Sequence, residues 1–240
     1  MCTVTFIAAK NGYRLGMNRD EKLARVRGLP PQLRHVRGRE VIAPSEPSGG
    51  TWISVNNGGV CFALINWYSV SMRVTENAAS RGSVVSAISA NLSQTEVECV
   101  FATLPLERIN PFRLIAVFPN QKRIMEWHWN LQHLTNKTHP WHAQQWISSG
   151  FDEPEAQRVR SRTFMEARRQ KSFGSIDWLR RLHRSHAPKC GPFSTCMHRP
   201  DAGTVSYTEV SSTNRSITMR YTSGPLCGLR CAAAKTTALY

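Results

Sequence analysis

Apolar and polar positions alternate from the second residue onward. Residues 3–8 (Thr-Val-Thr-Phe-Ile-Ala) alternate with a strong β-branched content, Lys10-Asn11-Gly12 interrupts them, and residues 13–17 resume the pattern. Asn-Gly between two β-prone runs is a strong local signal for a hairpin, so the second strand should return antiparallel and carry Asn18-Arg19-Asp20-Glu21 back beside Cys2. Residues 51–55 and 60–67 repeat the arrangement around Asn56-Asn57-Gly58-Gly59. Between the two hairpins, residues 22–50 are basic and interrupted by Pro30-Pro31, Pro44, Pro47 and Gly49-Gly50, which predicts a long connecting loop. Val84, Val85, Ile88 and Leu92, then Val97, Val100 and Leu104, recur at helical spacing and predict two short helices, with strands resuming at 112–118 and 123–129.

A longer helix should start after Asp152. Pro154 suits a first turn, Asp152 and Glu153 complement its positive end, and Ala156, Val159, Thr163 and Ala167 share one face. A second helix is predicted over 175–183, with Ile176, Leu179 and Leu182 inward, and strands near 204–210 and 216–221. Residues 226–240 lose periodicity and predict a mobile tail, leaving 1–225 as a single domain. Strand pairs, then helices, then more strand pairs imply an α+β domain with largely antiparallel sheets.

Composition narrows the class. At 240 residues and 41% hydrophobic content the chain can bury a substantial core and is globular in character. No run of about 18 apolar residues exists, so no transmembrane segment is expected, and the start of the chain lacks a basic and then apolar leader, so a cytoplasmic protein is expected. Seven cysteines at irregular positions (2, 61, 99, 190, 196, 227 and 231) argue against a disulfide framework. Neither Cys190 with Cys196 nor Cys227 with Cys231 makes a recognisable zinc ligand set, so neither a metal nor a cofactor is expected. The net charge of +15 is loaded on residues 22–39 and 158–171 without a reading helix, zinc finger or aromatic RNA-binding signature. That excludes sequence-specific nucleic-acid binding as the first expectation and favours an anionic small molecule, a phosphate-bearing thioester or a membrane surface.

Two constellations could carry chemistry. His128, His133, His139 and His142, interleaved with Trp127, Trp129, Trp141 and Trp146, could hold a flat ligand such as haem, or a metal. Their spacing matches no familiar ligand motif, which favours a half-buried aromatic strand and loop. Cys2 is the sharper candidate. Removal of Met1 would place a thiol and a free α-amine on one residue, a nucleophile with its own base near neutral pH. Arg19 could lower the thiol pKa or hold an anionic substrate, and Asp20 could orient the α-ammonium.

Met1-Cys2, Asn18-Arg19-Asp20-Glu21, Gly49-Gly50-Thr51-Trp52-Ile53, Asn57-Gly58-Gly59-Val60, Ala63-Leu64-Ile65-Asn66, Ser80-Arg81-Gly82, residues 110–116 and Cys196-Met197-His198-Arg199-Pro200-Asp201-Ala202 occur in order. Together these blocks resemble the NRDE family, also called the transport and Golgi organisation 2 family. The resemblance implies the four-layer αββα sandwich of N-terminal nucleophile hydrolases, and a more distant likeness to penicillin V acylase and bile salt hydrolase. By that analogy Cys2 attacks an acyl carbonyl, its α-amine relays protons, Asp20 orients the amine and the backbone N–H at Asn56 serves the oxyanion. Arg199 stands where those relatives hold a late arginine. Two positions depart from the pattern. The relatives carry an arginine before the shared asparagine, where this chain has Met17, and Arg19 follows Asn18 instead, a shift expected to turn the side chain to the opposite strand face. They also present an asparagine amide near Ser149, whose hydroxyl is a shorter donor. The implied site is therefore Cys2, Arg19, Asp20, Asn56, Ser149 and Arg199, acting on a non-peptide amide or acyl thioester. The alternative is a non-catalytic carrier of haem or an acyl lipid on the same fold.

Overall fold

The first hairpin forms as its sequence requires, from β1 (Cys2–Ala9) and β2 (Gly12–Lys22). Gly12 is indispensable at the turn: its φ is +147° and a Cβ there would lie 1.9 Å from the Ser212 carbonyl oxygen. This view rests on a computed structural model that describes residues 1–228 and 234–239. Two antiparallel sheets are stacked. The first has six strands in the order β10-β1-β2-β11-β12-β13, built with β10 (Gln144–Ser148), β11 (Ala202–Thr213), β12 (Ile217–Ser223) and β13 (Lys235–Leu239). The second has seven, β3 (Leu29–Val36), β4 (Arg39–Ser45), β5 (Ile53–Asn56), β6 (Cys61–Asn66), β7 (Phe112–Phe118), β8 (Arg123–Trp129) and β9 (Leu134–His139), in sequence order.

The period-2 alternation decides which residues go where. Val4, Phe6, Leu15 and Met17 of the first sheet meet Ile53, Val55, Ala63, Ile115 and Val117 of the second in the inter-sheet core. The outer face of the second sheet (Phe62, Leu64, Phe112, Leu114) is covered by α1 (Gly82–Ile88) and α2 (Gln94–Phe101). Over the first sheet, Ile7 packs on Phe164 of α3 (Glu153–Ala167) and on Trp178, Leu179 and Leu182 of α4 (Ile176–His183). The layers are thus helix, sheet, sheet, helix, the αββα arrangement expected. No described helix is long and apolar enough to cross a membrane.

Three segments depart from the sequence expectations. Residues 22–50 are largely a hairpin, β3–β4, closed by Arg37 (φ 48°) and Gly38 (φ 75°), and not a loop. Its prolines are tolerated because Pro30 and Pro31 fall in a register shift on an edge strand, and Pro44 lies beyond Val41 and Ile42, which pair with β5. The aromatic segment adds β9 and β10, with β10 crossing to the first sheet beside β1. Of the expected tail, 235–239 is a strand paired with β12, anchored by buried Leu239 in the inter-sheet core. Residues 229–233, with Cys231, and residue 240 lie outside the described residues.

Candidate active site

Cys2 opens β1 opposite Arg19, and Val4 lies opposite Met17. Directly opposed residues share a face, so Cys2, Arg19 and Met17 all point between the sheets. The expected reversal of Arg19 therefore does not occur: positions 17 and 19 are two apart, one full strand period. Met17 is consumed by the core while Arg19, nearer the strand end, reaches a cavity of about 300 Å³. Cys2, Arg19, Trp52, Asn66 and Arg81 are among its lining residues. The intervening Thr3, Thr5, Asn18 and Asp20 face the helices. Arg160 of α3 donates to Thr3 Oγ1 at 2.7 Å and His183 Nε2 lies 3.0 Å from Thr5 Oγ1.

Charges around the cavity are largely matched in pairs. Arg19 meets Glu46 at 2.5 Å and stacks 4.5 Å above the Trp52 ring, and Arg25 reaches Glu21 at 2.8 Å and Glu46 at 2.6 Å. Arg81 differs. Its Nε donates to the carbonyls of Pro111 (3.0 Å) and Asn110 (3.3 Å), and among the described residues no carboxylate forms an ion pair with it. Burial lowers its pKa, but a guanidinium keeps its charge at neutral pH. Among the described residues it is the one arginine of the cavity lining without a carboxylate partner.

Burial pushes the Cys2 thiol up, and Asp20 adds to this; the N-terminal amine and Arg19 pull it down without reversing it. Arg19 thus acts in the expected direction and is outweighed by desolvation while Met1 is present. Met1 and Asp20 exchange backbone hydrogen bonds, Met1 N to Asp20 O at 3.0 Å and Asp20 N to Met1 O at 2.9 Å. The α-amine therefore meets the Asp20 carbonyl. The Asp20 carboxylate turns the other way, to Arg160 (3.1 Å) and the Thr204 hydroxyl (2.7 Å), and both charged side chains are fully buried. Arg160 reads in the sequence as one more member of a basic run.

The remaining sequence candidates separate. Asn56 is not at this site. Its backbone N–H donates to Val60 O (3.1 Å), and its side chain ties the turn to Ser89 O and Asn91 O (3.0 and 2.9 Å). That turn meets Tyr13, whose hydroxyl donates to Gly59 O at 2.7 Å, and Tyr13 lies opposite Ala8, roughly 20 Å along β1 from Cys2 at about 3.4 Å per residue. Asn66, at the end of β6, lines the cavity, as does Asn110; Asn66 lies in a block that carries the family resemblance, but two Asn-containing blocks stand close together and only the fold separates them. Ser149 follows Ser148, the register partner of Cys2, and its hydroxyl lies 3.8 Å from Met1 Sδ, near Cys2 but not among the residues lining the cavity. Arg199 pairs with Asp201 at 2.9 Å and sits 4.7 Å over Phe151, away from the residues lining the cavity.

The histidine and tryptophan segment is organised around buried Glu126. Arg113 (2.7 Å), His139 Nε2 (2.7 Å), His128 Nε2 (2.9 Å) and Trp146 Nε1 (3.1 Å) converge on its carboxylate. Burial alone would raise its pKa, yet the two imidazoles and Arg113 hold it well below the usual carboxylate range. His128 and His139 are thereby turned toward a carboxylate.

Known structures share this architecture. Penicillin V acylase from Agrobacterium tumefaciens superposes with a TM-score of 0.57 over 93% of this chain and 83% of that one, at 10% identity. A cysteine-to-alanine mutant of conjugated bile acid hydrolase from Clostridium perfringens gives 0.59 over 99% and 96%, at 9% identity. The sandwich is the N-terminal nucleophile hydrolase fold, with a cysteine at the head of its first strand. No curated protein sequence matches the chain. The chain belongs to the family described as Transport and Golgi organisation 2, whose model matches residues 1–170.

Proposed function

We propose that this protein is an N-terminal cysteine hydrolase acting on a non-peptide amide or acyl thioester that carries an anionic group. The observation that carries the reading is that Cys2 and Arg81, an arginine with no carboxylate partner among the described residues, line one cavity. Met1 removal would leave an α-amine on Cys2 itself, able to take the thiol proton. The sulfur attacks the acyl carbon and the carbonyl electrons move to oxygen. The Asn66 amide, which lines the cavity and donates to Tyr68 Oη at 2.8 Å, would serve that oxyanion, in the role first expected of the backbone at Asn56. Collapse expels the amine or thiol, which takes its proton from the α-ammonium, and leaves a Cys2 thioester. Water then attacks the thioester, its proton passing to the α-amine and on to the departing sulfur, and the acid is released. Arg81 would hold the substrate's anionic end, while Glu46 keeps Arg19 stacked on Trp52.

Intact-mass spectrometry after brief exposure to candidate acyl thioesters and amides tests this. Expected is a chain beginning at Cys2 that gains one acyl mass, lost in Cys2→Ala. Full turnover by Cys2→Ala would sink the proposal. One observation favours the second reading, a non-catalytic carrier of an acyl lipid or haem: the Cys2 thiol is held in its protonated form by burial. Tight binding of acyl thioester or haem with Met1 retained and no acyl adduct would decide for the carrier.

A further inference from the structure

Outside the cavity, four side chains from separate segments converge where the turn after α4, the segment entering β11 and the segment leaving β12 meet. The ligand atoms of His186, Cys196, His198 and Cys227 all lie within 4.8 Å of one another. Cys196 Sγ is 3.1 Å from Cys227 Sγ and 3.7 Å from His198 Nε2; His198 Nε2 is 3.2 Å from Cys227 Sγ and 3.2 Å from His186 Nε2. We propose that these four residues form a tetrahedral Cys2His2 site for a structural zinc ion.

Bond lengths of about 2.3 Å to sulfur and 2.0–2.1 Å to nitrogen, at tetrahedral angles, place sulfurs about 3.8 Å apart, sulfur and nitrogen about 3.6 Å, and nitrogens about 3.4 Å. Of the four separations given, three lie within about 0.4 Å of those values; the sulfurs would open by about 0.7 Å, and His186, within 4.8 Å of both sulfurs, would close toward them as the ligands gather on a cation. The donor types agree. Two thiolates and two neutral imidazoles neutralise a divalent ion and suit zinc, whereas magnesium and calcium require oxygen ligands that the cluster lacks. Sequence spacing hides the set because it joins neither Cys190 to Cys196 nor Cys227 to Cys231. It takes Cys196 and Cys227 from the two segments that flank the β11–β12 hairpin at its open end and completes them with His198 and His186.

The site would brace the strand behind the nucleophile. Met197, between two ligands, donates its N–H to Thr204 Oγ1 at 2.9 Å, and that hydroxyl donates to Asp20 at 2.7 Å. The carbonyl of Thr195 accepts from Asn18 Nδ2 at 2.8 Å. Asn18 and Asp20 flank Arg19, so the ligand-bearing segment supports the outer face of β2 while Arg19 and Cys2 work on the inner one. A fixed ion ties this segment to the end of α4 and to β12. The proposal is independent of the hydrolase reading, because it concerns metal content alone.

The test uses the full chain, purified from zinc-supplemented culture, washed with a weak chelator and analysed for metal. About one zinc per chain is expected, retained in Cys99→Ser and Cys190→Ser, whose thiols are exposed and outside the cluster, and lost in Cys196→Ser and Cys227→Ser. Cobalt(II) loading should give the visible bands of a tetrahedral thiolate site. If the cysteine variants fail to fold, His186→Gln, on the half-buried side of the cluster, should weaken zinc retention at least tenfold. Substoichiometric zinc with no cobalt–thiolate bands would overturn the proposal. So would a Cys196–Cys227 disulfide found by peptide mapping of anaerobically alkylated protein.

Discussion

Removing the Arg160 guanidinium as Arg160→Met tests how the strand pair β1–β2 beside the cavity is held. Arg160 and Asp20 have fully buried side chains 3.1 Å apart, and Arg160 also donates to Thr3 Oγ1 at 2.7 Å. Without the guanidinium, the Asp20 carboxylate stays out of water with the Thr204 hydroxyl as its remaining side-chain donor. Breaking a buried pair from one side costs about 3–5 kcal/mol, most of it the penalty of the stranded charge. For a chain of this size that corresponds to a fall in Tm of roughly 6–20 °C. Adding Asp20→Asn removes the stranded charge, so the double variant should recover at least half of the loss. The assay is urea unfolding of the wild type, both single variants and the double variant, read as a double-mutant cycle with coupling of about 2 kcal/mol or more. A single variant within about 1 kcal/mol of wild type, or additive losses in the double variant, would refute the argument that the pair is a closed, desolvated unit.

Other outcomes follow from the same geometry. Burial, with Arg160 nearby, lowers the pKa of His183 from 6.5 to about 3, so the unfolded chain binds the proton first. Stability should fall as pH drops below about 6.5, by about 1.4 kcal/mol per unit toward pH 3, and His183→Gln should show a shallower slope between pH 7.5 and 4.5; equal slopes in the two proteins would contradict the assignment. Glu126→Gln removes the carboxylate shared by Arg113, His139 and Trp146 and should cost about 2–4 kcal/mol in chemical denaturation, whereas a loss under about 0.5 kcal/mol would mean the cluster is not a buried network. On the proposed reaction, Arg81→Leu should raise KM for an anionic substrate roughly 10- to 100-fold and leave a neutral analogue unchanged, because a hydrogen bond to a charged group contributes about 1.5–3 kcal/mol. Equal effects on both substrates would remove Arg81 from recognition.

Local chemistry was legible along the chain. Alternation and Asn11-Gly12 specify the first hairpin. The Asp152 carboxylate accepts from Glu155 N (2.9 Å) and the Ser175 hydroxyl from Trp178 N (3.1 Å), capping α3 and α4 where the sequence placed their starts. The residues and spacings that carry the family resemblance led to the four-layer sandwich, and Cys2 stood out as the candidate nucleophile at the head of its first strand. Tertiary structure alone decided the rest. The proline-rich hairpin β3–β4 exists because its prolines fall on an edge and in a register shift. Alternation assigns a side chain to one of two faces, but only the order β10-β1-β2-β11 reveals that one face of β2 meets a cavity and the other meets Arg160. Asn66 and not Asn56 shares a cavity with Cys2, and His186, Cys196, His198 and Cys227 meet, through pairings between distant segments. Hydrogen bonding within one turn or hairpin is written in neighbouring residues, whereas the burial and pairing of charges depend on which surfaces the folded chain presses together.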